Sequence, residues 1–172
     1  MNEVLQNMLT RRSVRAFADT PVESEKLKTI LQAATYAPSG MGKQSWQFTV
    51  VQKKEQIQKL AAVMAEALQK PEYDLYRPAC MILVSGEKEN GNHLADTGCA
   101  MENIMLMAHA LGLGSCWVNQ LKELSDVPAV RAVLDGFGVP QDHGVYAIAV
   151  LGYPAGDLPQ PKPRREGVVH YA

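Results

Sequence analysis

The stretch Ala37 to Trp46 reads APSGMGKQSW, and a lysine placed behind two glycines is the raw material of a phosphate cradle. A P-loop, however, needs Gly, four residues and then Gly-Lys-Ser/Thr, so that backbone N–H groups wrap the phosphates and a hydroxyl reaches Mg²⁺. Here Ala37 stands at the first glycine position and Gln44 at the hydroxyl position. The flanks are also reversed, with a helix-like segment before the loop and a strand-like one after it. A nucleotide triphosphate site is therefore excluded on spacing and on context. Two basic clusters offer a different phosphate chemistry: Arg11-Arg12-Ser13-Val14-Arg15 near one end and Lys162-Pro163-Arg164-Arg165 near the other. Guanidinium forks and a short hydroxyl together suit one phosphate group. The competing reading is two solvated charge runs. A formal net charge of −1 excludes a general nucleic-acid or polyanion binder, so any basic site is local.

Other reactive constellations are absent. Gly112-Leu113-Gly114 closes a helix and opens a strand, the reverse of a dinucleotide-binding G-x-G-x-x-G, and reads as a helix C-cap. His93, His109, His143 and His170 are scattered, there is no G-x-S-x-G elbow, and a Cys99–His109 pair has only helical proximity behind it. Cys80, Cys99 and Cys116 form no C-x-x-C pair, which leaves neither a disulfide framework nor a zinc site; buried thiols are expected. If the chain is an enzyme, a bound cofactor carries the chemistry.

The elements that must position these residues follow from periodicity. Val4, Leu5, Met8 and Leu9 have helical spacing. A second helix runs from Ser24, read as its cap, to the stop at Pro38, with Leu27, Ile30, Leu31 and Ala34 on one face. Phe48–Val51 is a short strand, and Ile57, Leu60, Ala61, Met64 and Leu68 mark a helix from about Glu55 that Pro71 ends. Ala79–Ser85 reads as a strand buried on both faces, followed by an exposed charged turn, GEKENGN. The region Ala95–Leu113 is a helix apolar nearly all round, expected to be buried centrally and suggestive of a subunit interface. Asp96, Glu102, Asn103 and His109 within it argue against a membrane span. Ser115–Val118 is a strand, Ser125–Leu134 a short helix with Pro128 in its first turn, and Val145–Leu151 a strong strand. One domain over residues 1–172 is expected, with an extended proline-rich tail over about 153–172 that needs a surface, such as a partner's, to lie on. The N-terminus shows no signal-peptide pattern, which points to the cytoplasm.

TRRSVRAF, APSGMGKQSWQF, the apolar helix ending LGLGSCWV, and KPRREGVVHY, in this order along almost the whole chain, resemble the nitroreductase family of FMN-dependent oxidoreductases. The resemblance implies an α+β fold, a central mainly antiparallel sheet flanked by helices, and an intertwined homodimer with FMN at the interface. By position it puts Arg11, Arg12, Ser13 and Arg15 at the phosphate and ribityl end of FMN. Lys162 and Arg164 match the C-terminal phosphate pair. Pro38, Ser39, Gly40 and Gly42 match a loop supplied by the other subunit, and Asn119 and Gln120 match backbone facing the flavin's reactive edge. Gly42 stands where the family usually has Asn, and Ser45 where it has Pro, so a ribityl or ring contact is either lost or taken over by Lys43 or Gln44. The long insertion of larger members between the second and third helices is missing. The activity implied is hydride transfer from NAD(P)H to FMN and then to a nitroaromatic, quinone or similar flat acceptor, by ping-pong turnover. An FMN sensor or carrier, a reductive dehalogenase and a flavin-fragmenting enzyme are the alternatives.

Overall fold

The computed structural model describes all 172 residues. Nine regular elements follow one another: α1 (Glu3–Thr10), α2 (Ser24–Thr35), β1 (Trp46–Val51), α3 (Lys54–Leu68), β2 (Cys80–Glu87), α4 (His93–Ala110), β3 (Gly114–Val118), α5 (Pro128–Gly136) and β4 (His143–Gly152). The strands form one antiparallel sheet in the order β1-β2-β4-β3, which puts the two most apolar strands at its centre. Side chains alternate along a strand, so β2 sends Met81 and Leu83 to one face and Cys80, Ile82 and Val84 to the other. On the first face Leu60 and Met64 of α3 and Val130 and Leu134 of α5 complete a core with Ile148 and Val150 of β4. On the second face Ile30 of α2 and Met101 and Ile104 of α4 pack over Ala147 and Ala149. Each of the Val, Leu, Ile and Met side chains among these, fully buried, contributes about 1.5–3 kcal/mol. Small residues on β4 let α4 lie close to the sheet, and this fixes the helix that both halves of the candidate site depend on.

Several expectations are corrected. Ser24 does not cap α2: the cap position is Glu23, without a side-chain cap bond. The side-chain cap in this part of the chain is Asn2, whose Oδ1 accepts from the N–H groups of Val4 and Leu5 at 3.0 and 3.2 Å. The turn GEKENGN is not wholly exposed, because β2 continues through Glu87 and Asn90 is buried. Cys99 is exposed, whereas Cys80 and Cys116 are buried. Helix α4 is not enclosed on all sides: Leu94, Cys99 and Glu102 face outward, since the sheet and α2 cover only part of its circumference. Helix α1 buries no residue and holds Val4, Leu5, Met8 and Leu9 in the open.

The tail is extended, as its prolines require. It is pinned where it starts, with Ala18 N–H donating to the Tyr153 carbonyl (2.8 Å) and Ala155 N–H to the Ala16 carbonyl (3.0 Å). Residues 155–172 are exposed throughout.

Candidate functional site

After α1 the chain straightens at Arg11 (φ −56°, ψ 137°) and runs extended along the edge of β3. Val14 N–H donates to the Ser115 carbonyl at 2.9 Å, and Gly114 allows this approach, because a Cβ there would lie 2.8 Å from the Val14 side chain. Two buried polar atoms at this edge have no hydrogen-bond partner: Nη1 of Arg11 and Oγ of Ser115. Buried polar groups are nearly always paired, and an unmade bond costs about 1–3 kcal/mol, more for a charged group. A guanidinium and a hydroxyl without partners on adjoining segments are donors of the kind an anion takes up.

The electrostatics agree. His109, at the end of α4, has its pKa lowered by burial and then by the charges of Arg11 and Arg12, while its Nε2 lies 2.8 Å from Thr10 Oγ1. Burial pushes the Cys116 thiol upward, against the pull of Arg15 and Arg11. Arg12 is used differently from Arg11, since its Nη1 donates to the carbonyls of Leu9 (2.9 Å) and Arg11 (2.8 Å) and so closes the end of α1.

Between α3 and β2 lies a wall that the sequence reading missed. Leu75, Tyr76 and Arg77 are consecutive left-handed residues (φ 56°, 63° and 47°), each costing about 1–2 kcal/mol. This turn is held by Asp74, which accepts from Tyr76 N–H at 2.9 Å and pairs with Arg77 at 2.8 Å. It brings the Tyr76 ring within 5.8 Å of the Arg15 guanidinium. Tyr73, its hydroxyl pushed far up by burial, approaches Gln120 Oε1 at 3.5 Å, and the same oxygen accepts the Asn119 N–H at 3.2 Å. Arg11, Ser13, Arg15, Asn119 and Gln120 thus border one strip along β3, whose five residues span roughly 15 Å. The two tyrosines in the proline-bounded run PEYDLYRP were the available signal.

The glycine-lysine loop sits elsewhere. Gly40–Gly42 makes one tight 3₁₀ turn, with Met41 (φ 55°), Gly42 (φ 67°) and Gln44 (φ 50°) left-handed. Gly40 N–H donates to Asp96 Oδ1 at 2.8 Å, and Gln44 N–H to Ser39 Oγ at 3.1 Å. A Cβ at Gly40 would collide with the Asn92 side chain, so the close approach there suits glycine. Ser45 does work that proline could not: its Oγ lies 2.6 Å from Asn90 Nδ2. Pro38 is exposed at the start of the loop.

These two regions do not meet within one chain. The loop feeds β1 at one edge of the sheet, and the arginine segment lies on β3 at the other. Asp96 and His109, their contacts on α4, are thirteen positions apart, on the order of 20 Å along the axis. Packed core fills the space between them. Lys162 and Arg164 stand in the exposed tail, apart from both. The scattered histidines make no acid–base set with Cys99. His143 Nδ1 lies 3.2 Å from Ser85 Oγ and His93 stacks on Tyr146 at 4.2 Å. No group of three or more His, Cys, Asp or Glu could hold a metal.

A four-stranded antiparallel sheet with helices on both faces, an arginine-bearing segment along one edge and a glycine loop at the other, defines an α+β protein. The chain belongs to the nitroreductase family, which matches residues 8–153. A solved nitroreductase with bound FMN from Bacteroides fragilis superimposes with a TM-score of 0.94 at 36% identity, covering 100% of both chains. A relative from Archaeoglobus fulgidus, provisionally named NADH dehydrogenase/NAD(P)H nitroreductase, is 31% identical over 90% of this chain and 87% of its own length. An FMN reductase [NAD(P)H] from Bacillus subtilis is 30% identical over 99% of this chain and 74% of its own.

Proposed function

We propose that this chain is an FMN-dependent NAD(P)H oxidoreductase that works as a two-fold dimer and reduces flat acceptors such as nitroaromatics or quinones. The observation that carries it is the pair of buried, unpartnered donors, Arg11 Nη1 and Ser115 Oγ, beside Ser13 and Arg15. They fit a terminal phosphate. The donor set of the strip and the FMN-bound neighbour point to the same group.

Lys162 and Arg164 are within reach of this end from the tail. Ala155 is bonded to Ala16, so the tail departs from the arginine segment itself. Seven further residues of extended chain reach about 22 Å, and Arg11 is five extended residues from Ala16, about 17 Å. The reach is sufficient.

FMN, when bound, supplies the capacity to accept hydride from the nicotinamide and to hand electrons to the acceptor. The chain's own residues hold, orient and shield. Arg15 supplies a cation beside the Tyr76 ring, Tyr73 and Tyr76 wall the strip, and Asn119 and Gln120 border its far end. The nicotinamide and the acceptor use one place in turn, which is the basis of ping-pong kinetics. The loop Pro38–Gly42 serves the partner's site, because in its own chain a packed core separates it from the arginines. The exposed apolar face of α1, the open side of α4 and the unsupported tail are the surfaces such a partner would cover.

The test is the visible spectrum of the purified protein and chromatography of the cofactor it releases. A yellow protein releasing FMN and bleached by NAD(P)H is expected. FAD, or no flavin after reconstitution, refutes the assignment, and bound FMN that NAD(P)H does not bleach makes the protein a flavin sensor or carrier. No helix is long and apolar enough to cross a membrane.

A further inference from the structure

We propose that Asn90 and Asp96 are positioning residues: together they clamp both ends of the 39–45 loop and so set where that loop meets the flavin ring in the partner's site. The part concerning the flavin rests on the function proposed above. Asp96 is the one charged residue buried in this protein, at 5% exposure. Buried carboxylates are ordinarily paired with a cation, and Asp96 has none within ion-pair distance. Its charge is balanced by donors instead. Oδ1 accepts from Gly40 N–H at 2.8 Å and Oδ2 from Asn90 Nδ2 at 3.2 Å, and the carboxylate sits in the first turn of α4, where the helix dipole favours a negative charge.

Asn90, at 4% exposure, uses its amide in three directions. Nδ2 bonds both Asp96 and Ser45 Oγ, the latter at 2.6 Å, while Oδ1 accepts from Asn92 N–H at 3.1 Å. The pair therefore grips Gly40 at the start of the loop and Ser45 at its end. Between these points Met41, Gly42 and Gln44 are left-handed, a conformation that persists only when its surroundings over-determine it. A carboxylate buried without a cation is a poor way to gain stability, and a polar network with every donor matched is a good way to specify one geometry. The clamp thus accounts for the departure at Ser45, which supplies a hydroxyl that proline lacks.

The chemistry of the pair provides its own control. Asp96→Asn sets an amide N–H against one of two donors, and Asn90→Asp sets two carboxylates together. The double variant N90D/D96N restores every match: Asn at 96 accepts from Gly40 and donates to Asp at 90, which also accepts from the Ser45 hydroxyl and from Asn92 N–H. Two readouts are required. Amide exchange at Gly40 and Gln44 in flavin-free protein should speed up about tenfold or more in each single variant and return to wild type in the double. At equal flavin occupancy kcat/KM for NAD(P)H should fall about ten- to a hundredfold in the singles and recover in the double, as expected when a reacting group shifts by around 1 Å.

Unchanged exchange in the singles overturns the clamp. Faster exchange with wild-type kcat/KM per bound flavin overturns the link to the ring and leaves Asn90 and Asp96 purely structural. If the singles do not fold, a double variant that folds with wild-type exchange supports the pairing, and one that also fails refutes it. A wild type that binds no flavin overturns the proposed function alone, and the exchange measurement still decides the clamp.

Discussion

The two ends of α4 solve opposite problems. At the C-terminal end, beside His109, the chain gathers positive charge and leaves Arg11 Nη1 and Ser115 Oγ without partners. At the N-terminal end, around Asp96, every buried donor and acceptor is matched inside the protein, down to the amide of Asn90. One end keeps unpaired donors and the other is fully paired. If the first holds the cofactor's phosphate, as proposed above, it serves affinity, because filling its unmade bonds would release a cost already present in the folded chain. The second is built for position, because a satisfied network holds a strained loop in one place.

If the two ends serve different subunits' sites, the largest effect comes from disabling one end in each of two chains. Arg15→Glu should abolish NAD(P)H oxidation by reversing a charge at the arginine edge, and Ser39→Trp should do so by filling the loop. In mixed dimers one site carries both lesions and the other carries neither. Random exchange makes about half the dimers mixed, so about a quarter of all sites should regain activity, a consequence of two-fold symmetry. No recovery despite proven subunit exchange returns both motifs to a single chain.

The next effect separates neighbouring arginines. Arg11 has a buried nitrogen with no hydrogen-bond partner in the chain; if it meets the phosphate, Arg11→Ala should weaken FMN binding about ten- to a hundredfold, the equivalent of one charge-assisted bond of roughly 1.5–3 kcal/mol. The same loss is expected for Lys162→Ala, provided the tail reaches the phosphate. Flavin-free Arg11→Ala should melt no lower than wild type, since it removes an unsatisfied charge. Arg12→Ala should behave the other way round, with FMN affinity within about threefold of wild type and stability lower by about 1 kcal/mol, because its guanidinium closes the end of α1. Flavin titration and thermal melts on the two variants measure this, and equal affinity losses would erase the distinction.

The sheet and its helices were legible because their signals are local. Unbroken apolar runs mark β2 and β4, three-and-four spacing marks α2 and α3, and prolines mark the stops. The motifs at both ends of α4 were also legible as residue types. What the sequence did not disclose depends on contacts between distant segments. Asp96 looked like a charge that kept an apolar helix out of lipid, and its bond to Gly40, 56 positions away, has no local signature. Arg11 and Arg12 are indistinguishable in the string RRSVR, and only the closing of α1 tells them apart. Tyr76 was hidden by a left-handed turn of three non-glycine residues, which turn chemistry gives no reason to expect.

The smallest effect is a protonation, and it reports on the arginine end alone. In the flavin-free protein His109 should titrate below the ordinary histidine value of about 6.5, because burial and then Arg11 and Arg12 disfavour its charged form. Since the folded value is depressed, the unfolded chain takes up the proton first as the pH falls. His109 therefore contributes stability that is present above about pH 6.5 and is lost as the pH drops through the folded value. A phosphate bound beside the same arginines would offset their charge and move the His109 midpoint upward. Arg11→Ala should shift it the same way without flavin, by removing one of the two charges. Ring-proton NMR of the histidines, with and without FMN, follows both changes. A midpoint that rises in Arg11→Ala but does not move with FMN would place the phosphate away from this end of α4, and the unmatched donors there would need another anion to explain them.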